Sequence, residues 1–266
     1  MATMHLSMSR DTQSESRSSR RRVVASLAPL ALLYCIYMLV RFIVSGRGPE
    51  VGDRHAEWIL DLEQSLHLNW EHGLQGTAIA HHWLIAFANR YYAYGLLPVL
   101  VLCAVLSAWR ARAAFAWWRT AFIVSLGFAM VGFALYPLTP PRLLAAGDGF
   151  VDTLLLYGPH YYGDAAGNSL FNAYGSLPNM VNSYAAMPSM HIAWSIIAVM
   201  LFSAAFHYRR WTWPIVIFHP LFMAFAVIAT GNHYVLDVFA GVAVLAAGII
   251  GALIQNGRLR QDPLPA

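Results

Sequence analysis

Apolar runs about as long as a bilayer is thick recur along this chain, at 23–44, 91–109, 120–137, 190–206, 213–230 and 235–255. A hydrocarbon core of about 30 Å takes about 20 residues of helix at about 1.5 Å rise each. The runs therefore predict an all-α fold, a polytopic membrane bundle of about six transmembrane helices. Composition agrees. Hydrophobic residues make up 58% of the chain and charged residues 11%, where a soluble domain carries about 25% charged residues. So few charges leave no cover for a large water-facing surface, and a nucleic-acid partner is not expected. The positive mean hydropathy, +0.51, excludes a disordered chain.

The charges that remain orient the bundle. No lysine occurs, so all 17 basic residues are arginine. Twelve of the 17 cluster before the first run, between the second and third, between the fourth and fifth, and after the sixth. By the positive-inside rule those segments and both termini are cytoplasmic, in a plasma-membrane protein. Residues 1–22, rich in Ser and Arg, and 258–266 read as cytoplasmic tails flanking a membrane domain at 23–257. The first run follows a basic segment but lacks a small-residue cleavage site, so an uncleaved span is expected rather than a signal peptide. Two longer segments face the other side. In 50–89, His55, Trp58, Ile59, Leu62 and Leu66 recur at helical spacing, which predicts an external amphipathic helical segment capping the bundle. Residues 138–188, rich in Gly, Tyr, Asn and Pro, form a long external loop of the kind that often shapes a binding site.

Three segments on that external side hold the polar residues that an apolar bundle has to account for. They are Tyr136 to Arg142, Met187 to His191, and Thr230 to Asp237. His233 and Asp237 stand four apart and share one face of a helix. An ionisable residue in a span costs about 2.5–3.5 kcal/mol on insertion scales, so Asp237 needs a partner. Its carboxylate can take a hydrogen bond from one ring nitrogen of His233 and leave the other as nucleophile or base; a purely structural pair between helices satisfies the same spacing. Pro188 and Ser189 look like a helix start with Ser189 as N-cap, which puts His191 in a first turn whose free N–H groups favour an anion. Asn232 is expected to cap the last helix in the same way. Arg142, the one basic residue of the loop 138–188, is suited to clamp phosphate oxygens, or to anchor at a headgroup. His55, His67, His72, His81 and His82 lack metal-site spacing, and Cys35 and Cys103 sit in apolar runs. No metal and no cofactor is expected.

At these residues the chain resembles the type-2 phosphatidic acid phosphatase superfamily. Pro188-Ser189-Met190-His191 is similar to its Pro-Ser-Gly-His motif, and His233 to Asp237 to its closing His-x-x-x-Asp. The longer phrases Tyr184 to His191 and Gly231 to Val238, with Pro140-Pro141-Arg142, resemble a subgroup of inositol phosphorylceramide synthase-like lipid phosphotransferases. The resemblance spans roughly residues 80–255. It implies a metal-independent reaction in which His233 attacks phosphorus to form a phosphohistidine, Asp237 orients His233, and His191 protonates the leaving oxygen. Arg142, Ser189 and Asn232 would bind the substrate, a phospholipid or isoprenoid phosphate among membrane lipids. Water or an acceptor alcohol would then take the phosphoryl group.

The chain also departs from the phosphatase pattern. The first motif's Lys is missing, Leu143 follows Arg142 where the family has Pro, and Met190 replaces the Gly of the middle motif. Val227 stands where an Arg usually precedes the last motif's His by six residues. A site this short of cations weakens the expectation of plain phosphatidate hydrolysis and keeps headgroup transfer to an alcohol open. The alternative is a membrane transporter or scaffold in which His233 and Asp237 are a structural pair or a proton relay.

Overall fold

The computed structural model describes residues 35, 36, 39, 49–144, 148–157 and 184–261, with side chains for all of these except 49 and 258–261. The tail 1–22, residues 262–266, most of the first apolar run and the centre of the loop 138–188 lie outside the described residues, and the first four residues of the expected tail 258–266 continue the last helix. Described regular structure is helical: α1 (Pro49–Ser65), α2 (Glu71–Ala80), α3 (His82–Tyr94), α4 (Leu97–Arg110), α5 (Arg112–Leu135), the short α6 (Thr153–Tyr157), α7 (Met190–Ala205), α8 (Trp213–Ala229) and α9 (Val235–Gln261). Among the described residues an isolated parallel bridge joins Leu138 to Ala185. Helices suit such a sequence because each satisfies its own backbone hydrogen bonds where lipid offers none.

Three stretches, Arg112–Leu135, Arg210–Ala229 and Val235–Gly257, are long and apolar enough to cross a membrane. A fourth appears if α3 and α4, bent by 49° at their junction, count as one span. The bend falls at Gly95 and Leu96, just before Pro98, which has no N–H to continue the α3 ladder. This chain is a membrane protein by that measure, with three or four full-length spans among the described residues. The run at 190–206 forms α7, whose 16 residues reach about 24 Å, short of a bilayer core of about 30 Å. The run at 120–137 understates its helix, which begins at Arg112 because Arg112 and Arg119 fall in its first turns. Long arginine stems can run along apolar surface with the guanidinium at an interface.

α7 is the central element. It packs against α4, α5, α8 and α9, and Ile192, Ala193, Ile197, Ala198 and Leu201 are buried. α9 lies along α5 at a separation set by small residues. A Cβ added at Gly248 would sit 2.4 Å from the Ala121 carbonyl oxygen, so the backbones meet where only glycine fits.

The segment 50–89 is amphipathic, as its spacing predicts, but the buried stripe of α1 is rotated from the expected one. Gly52, Ala56, Ile59 and Glu63 face inward, while Trp58 is 57% exposed and Leu66 52% exposed. The cause is local. α1 docks through Gly52, whose oxygen accepts from Thr139 N at 3.3 Å. A Cβ at Gly52 would come 2.5 Å from Thr139 Oγ1. Close backbone approach and a buried carboxylate outweigh two large apolar side chains. Hydropathy periodicity weighs only the latter.

Candidate active site

The three polar segments converge at one end of the bundle. Backbone hydrogen bonds lock them together: Arg142 N donates to Gly231 O at 2.9 Å, Ser189 N to Asp237 O at 3.0 Å, and Leu138 N to Tyr184 O at 2.8 Å. Gly231 makes the first contact feasible. It has φ +70, and a Cβ there would press on Arg142 Cβ at 3.2 Å and on Gln75 Nε2 at 3.0 Å. Tyr234, fully buried, ties the same parts from another direction. Its Oη donates to Thr139 O at 2.8 Å and its N to Asp237 Oδ2 at 3.0 Å. Burial first, then the Asp237 carboxylate, raises the Tyr234 phenol above its usual range, so it remains a donor.

At the centre is a relay of three side chains. His233 Nδ1 lies 3.2 Å from Asp237 Oδ2. Asp237 has 0% exposure and His233 5%. The carboxylate accepts only, so Nδ1 carries the proton and Nε2 presents a lone pair. His233 Nε2 in turn lies 3.3 Å from His191 Nδ1, which makes His191 Nδ1–H the donor to it. The rings meet edge to face, with centroids 5.4 Å apart. On its other side His191 faces Tyr92, centroid to centroid 4.7 Å. In this arrangement a histidine oriented by a carboxylate holds an unprotonated nitrogen against a second histidine that holds a proton.

The remaining expected residues surround this relay with some changes of role. Ser189 heads α7, but its side chain makes no capping bond. Its buried Oγ has no partner among the described residues. Asn232 does not cap the last helix. Its Nδ2 donates to Thr230 Oγ1 at 2.8 Å, and its Oδ1 accepts from Arg142 Nε at 2.9 Å. The cap comes from elsewhere: Val235 N donates to Glu71 Oε1 at 2.8 Å and Leu236 N to Glu63 Oε1 at 2.7 Å. Those amides are therefore occupied by carboxylates and unavailable to a phosphate. Arg142 stands at the site, but its Nη1 is paired with Asp152 Oδ2 at 3.1 Å. Asp152 also caps α6, accepting from Leu154 N and Leu155 N at 3.1 Å.

Sequence reading alone did not single out Glu63, Glu71 or Asp152. Asp152-Thr153 before three leucines carried a readable helix-start signal. Nothing in local pattern marked Glu63 or Glu71, because their partners are 173 and 164 residues away. Among the described residues no group of three or more His, Cys, Asp or Glu is arranged to hold a metal ion.

Residues 57–251 match the family model described as the PAP2 superfamily, which takes in every residue of the relay. No curated protein and no solved structure matches the chain.

Proposed function

We propose that this chain, which belongs to the PAP2 superfamily, cleaves lipid phosphodiesters and passes the phospho-headgroup to an alcohol. Membership in that superfamily points to chemistry on phosphoric esters of lipids. The finer reading rests on the relay Asp237, His233, His191. His233 Nε2 attacks phosphorus as the bond to the lipid-side oxygen breaks, and His191 gives its proton to that oxygen. Asp237 stabilises the imidazolium that forms on His233. In the second half an acceptor O–H loses its proton to His191 and attacks phosphorus, and the P–N bond breaks. Water in place of the alcohol completes a hydrolysis. The phosphorus has to enter between His233 and His191, so their resting contact opens when substrate binds.

Charge favours the diester. Arg142 is shared with Asp152, Asp237 adds a negative charge, and the chain has no lysine. A phosphomonoester dianion would bring a second negative charge, and one unit pair at about 4 Å is worth about 4 kcal/mol at an effective dielectric constant of about 20. A phosphodiester brings only one. This is the branch of the family that the phrases Tyr184 to His191 and Gly231 to Val238 resemble, the inositol phosphorylceramide synthase-like enzymes. A lipid alcohol or an inositol-type alcohol is the acceptor class which that resemblance implies. The unpaired Ser189 Oγ and the Arg142–Asn232 pair are the substrate contacts. Segments rich in arginine, including Arg110, Arg112, Arg209 and Arg210, mark the cytoplasmic side of a six-span topology in the plasma membrane. The relay then works at the extracytoplasmic face.

Product analysis tests this reading. Purified protein is incubated with headgroup-labelled phospholipid, with and without a polyol acceptor. A new labelled phosphodiester that requires both His233 and the acceptor is expected. Turnover that survives His233→Ala would refute the assignment of the nucleophile.

A further inference from the structure

Three consecutive amides at the start of α9 each meet a carboxylate. Tyr234 N binds Asp237, Val235 N binds Glu71, and Leu236 N binds Glu63. The first carboxylate belongs to the relay. The other two come from different external helices, α1 and α2, and are as buried as the relay itself, at 0% and 1% exposure. Burying an ionised carboxylate costs several kcal/mol, and one short polar side chain suffices for a helix cap. Two buried glutamates beside the catalytic pair call for more than capping.

We propose that Glu63 and Glu71 are positioning residues for the phosphotransfer: sharing one proton, they hold the first amides of α9 and so fix where His233 and Asp237 stand. The inference rests on the phosphohistidine reading above. With both groups ionised, neither Glu63 Oε2 nor Glu71 Oε2 has a donor among the described residues. The two side chains lie within hydrogen-bonding reach of each other, so a proton kept on Glu63 gives it a partner in Glu71. Two carboxylates in contact cannot both ionise cheaply, so one keeps its proton. The remaining charge lies at the positive end of the helix, where the dipole and the free N–H groups favour it.

Burial, then the bond to Glu71 and the charges of Glu71 and Asp237, push the Glu63 carboxyl up to about 9. The pair therefore holds its proton at neutral pH and loses it as the medium becomes alkaline. The other groups facing it are Tyr234, just before α9, which senses Glu63, Glu71, Asp237 and Asp148, and His233 through Asp237. His72 on α2 bonds the Asp148 carbonyl at 2.8 Å. Full ionisation would add a charge beside Asp237, drive the two glutamates apart and release the start of α9, which carries Asp237 and directly follows the nucleophile His233.

Glutamine at 63 is the discriminating substitution. Its carbonyl can still accept from Leu236 N, and its amide can donate to Glu71, which mimics the protonated acid permanently. The full-length protein in lipid nanodiscs is compared as wild type, Glu63→Gln and Glu63→Ala, reading kcat and KM from neutral pH to above 9. Glu63→Gln is expected to keep neutral-pH turnover within about twofold and to lose the alkaline decline. Glu63→Ala is expected to lower kcat about tenfold or more, the scale of one lost charge-assisted hydrogen bond, with a smaller change in KM. In parallel, infrared difference spectra should show a protonated-carboxyl carbonyl band in the wild type that vanishes above about pH 9 and is absent from Glu63→Gln. The proposal is overturned by an absent band, by wild-type kcat in Glu63→Ala, or by Glu63→Gln behaving like Glu63→Ala. Should the wild type turn over no lipid phosphoester, the phosphotransfer reading falls while the band still decides whether the proton is shared.

Discussion

Gly241 lies one helical turn beyond Asp237 and faces the start of α7. A Cβ there would stand 2.3 Å from Ser189 O and 3.2 Å from Ser189 C. Gly241→Ala must restore an ordinary contact of at least 3.4 Å, so α9 and α7 part by about 1 Å, a misplacement worth about 100-fold in rate when it reaches reacting groups. The strain enters between the segments that carry His191 and Asp237. Ser189 N donates to Asp237 O at 3.0 Å, and His191 and His233 touch at 3.3 Å. For stability, helix propensity returns about 1 kcal/mol against an overpacking cost of about 1–3 kcal/mol, a modest net loss. Gly248→Ala is the matched control: a Cβ there clashes equally, at 2.4 Å from Ala121 O, but away from the relay, between α9 and α5. Turnover of a labelled phosphodiester and thermal midpoints are measured for both variants. Similar small losses of stability are expected, with kcat reduced about 100-fold only in Gly241→Ala. Equal kcat losses in the two variants, or none in Gly241→Ala, would refute the claim that the α7–α9 contact sets the reacting geometry.

Asp152→Asn removes the charge opposing Arg142 while keeping an acceptor for it. The ratio of kcat/KM for phosphomonoester over phosphodiester should rise about tenfold, one charge-pair term after screening. Tyr92→Leu removes the ring beside His191 and should lower kcat about tenfold, the upper end of an aromatic contact, with Tyr92→Phe affected less; steady-state kinetics on both variants checks this. Stability should fall as pH rises from the ordinary carboxyl value of 4.5 towards about 9, since over that window native Glu63 holds a proton that the unfolded chain has released. Thermal midpoints across that range check the slope, and Glu63→Gln should flatten it.

Membrane class and relay were both legible because each is a local signal. Apolar runs need only composition and length, and the pairing of His233 with Asp237 needs only a separation of four, although His233 stands two residues before α9 rather than on its face. The number of full-length spans was less legible. Both α7, which is short and enclosed, and α5, which gains two turns at its arginine-bearing end, read as apolar runs of similar length. The acids show the limit most clearly. Asp237 stands out in sequence because it interrupts an apolar run. Glu63 and Glu71 sit in an amphipathic segment with four other acids, Glu50, Asp53, Glu57 and Asp61, and nothing local sets them apart. Their burial depends on contacts with amides 164 and 173 residues away, and no window along the chain contains both ends of such a contact.

The central claim is that His233 carries the phosphoryl group, and the most direct measurement is to catch it there. Wild-type protein is mixed with phosphorus-labelled lipid phosphodiester, quenched in alkali within one turnover, and digested for mass spectrometry. The account predicts an alkali-stable, acid-labile label on the peptide containing His233. That label should disappear on adding acceptor alcohol and be absent from His233→Ala. Continued turnover with no label on His233, or with the label on another residue, would contradict it.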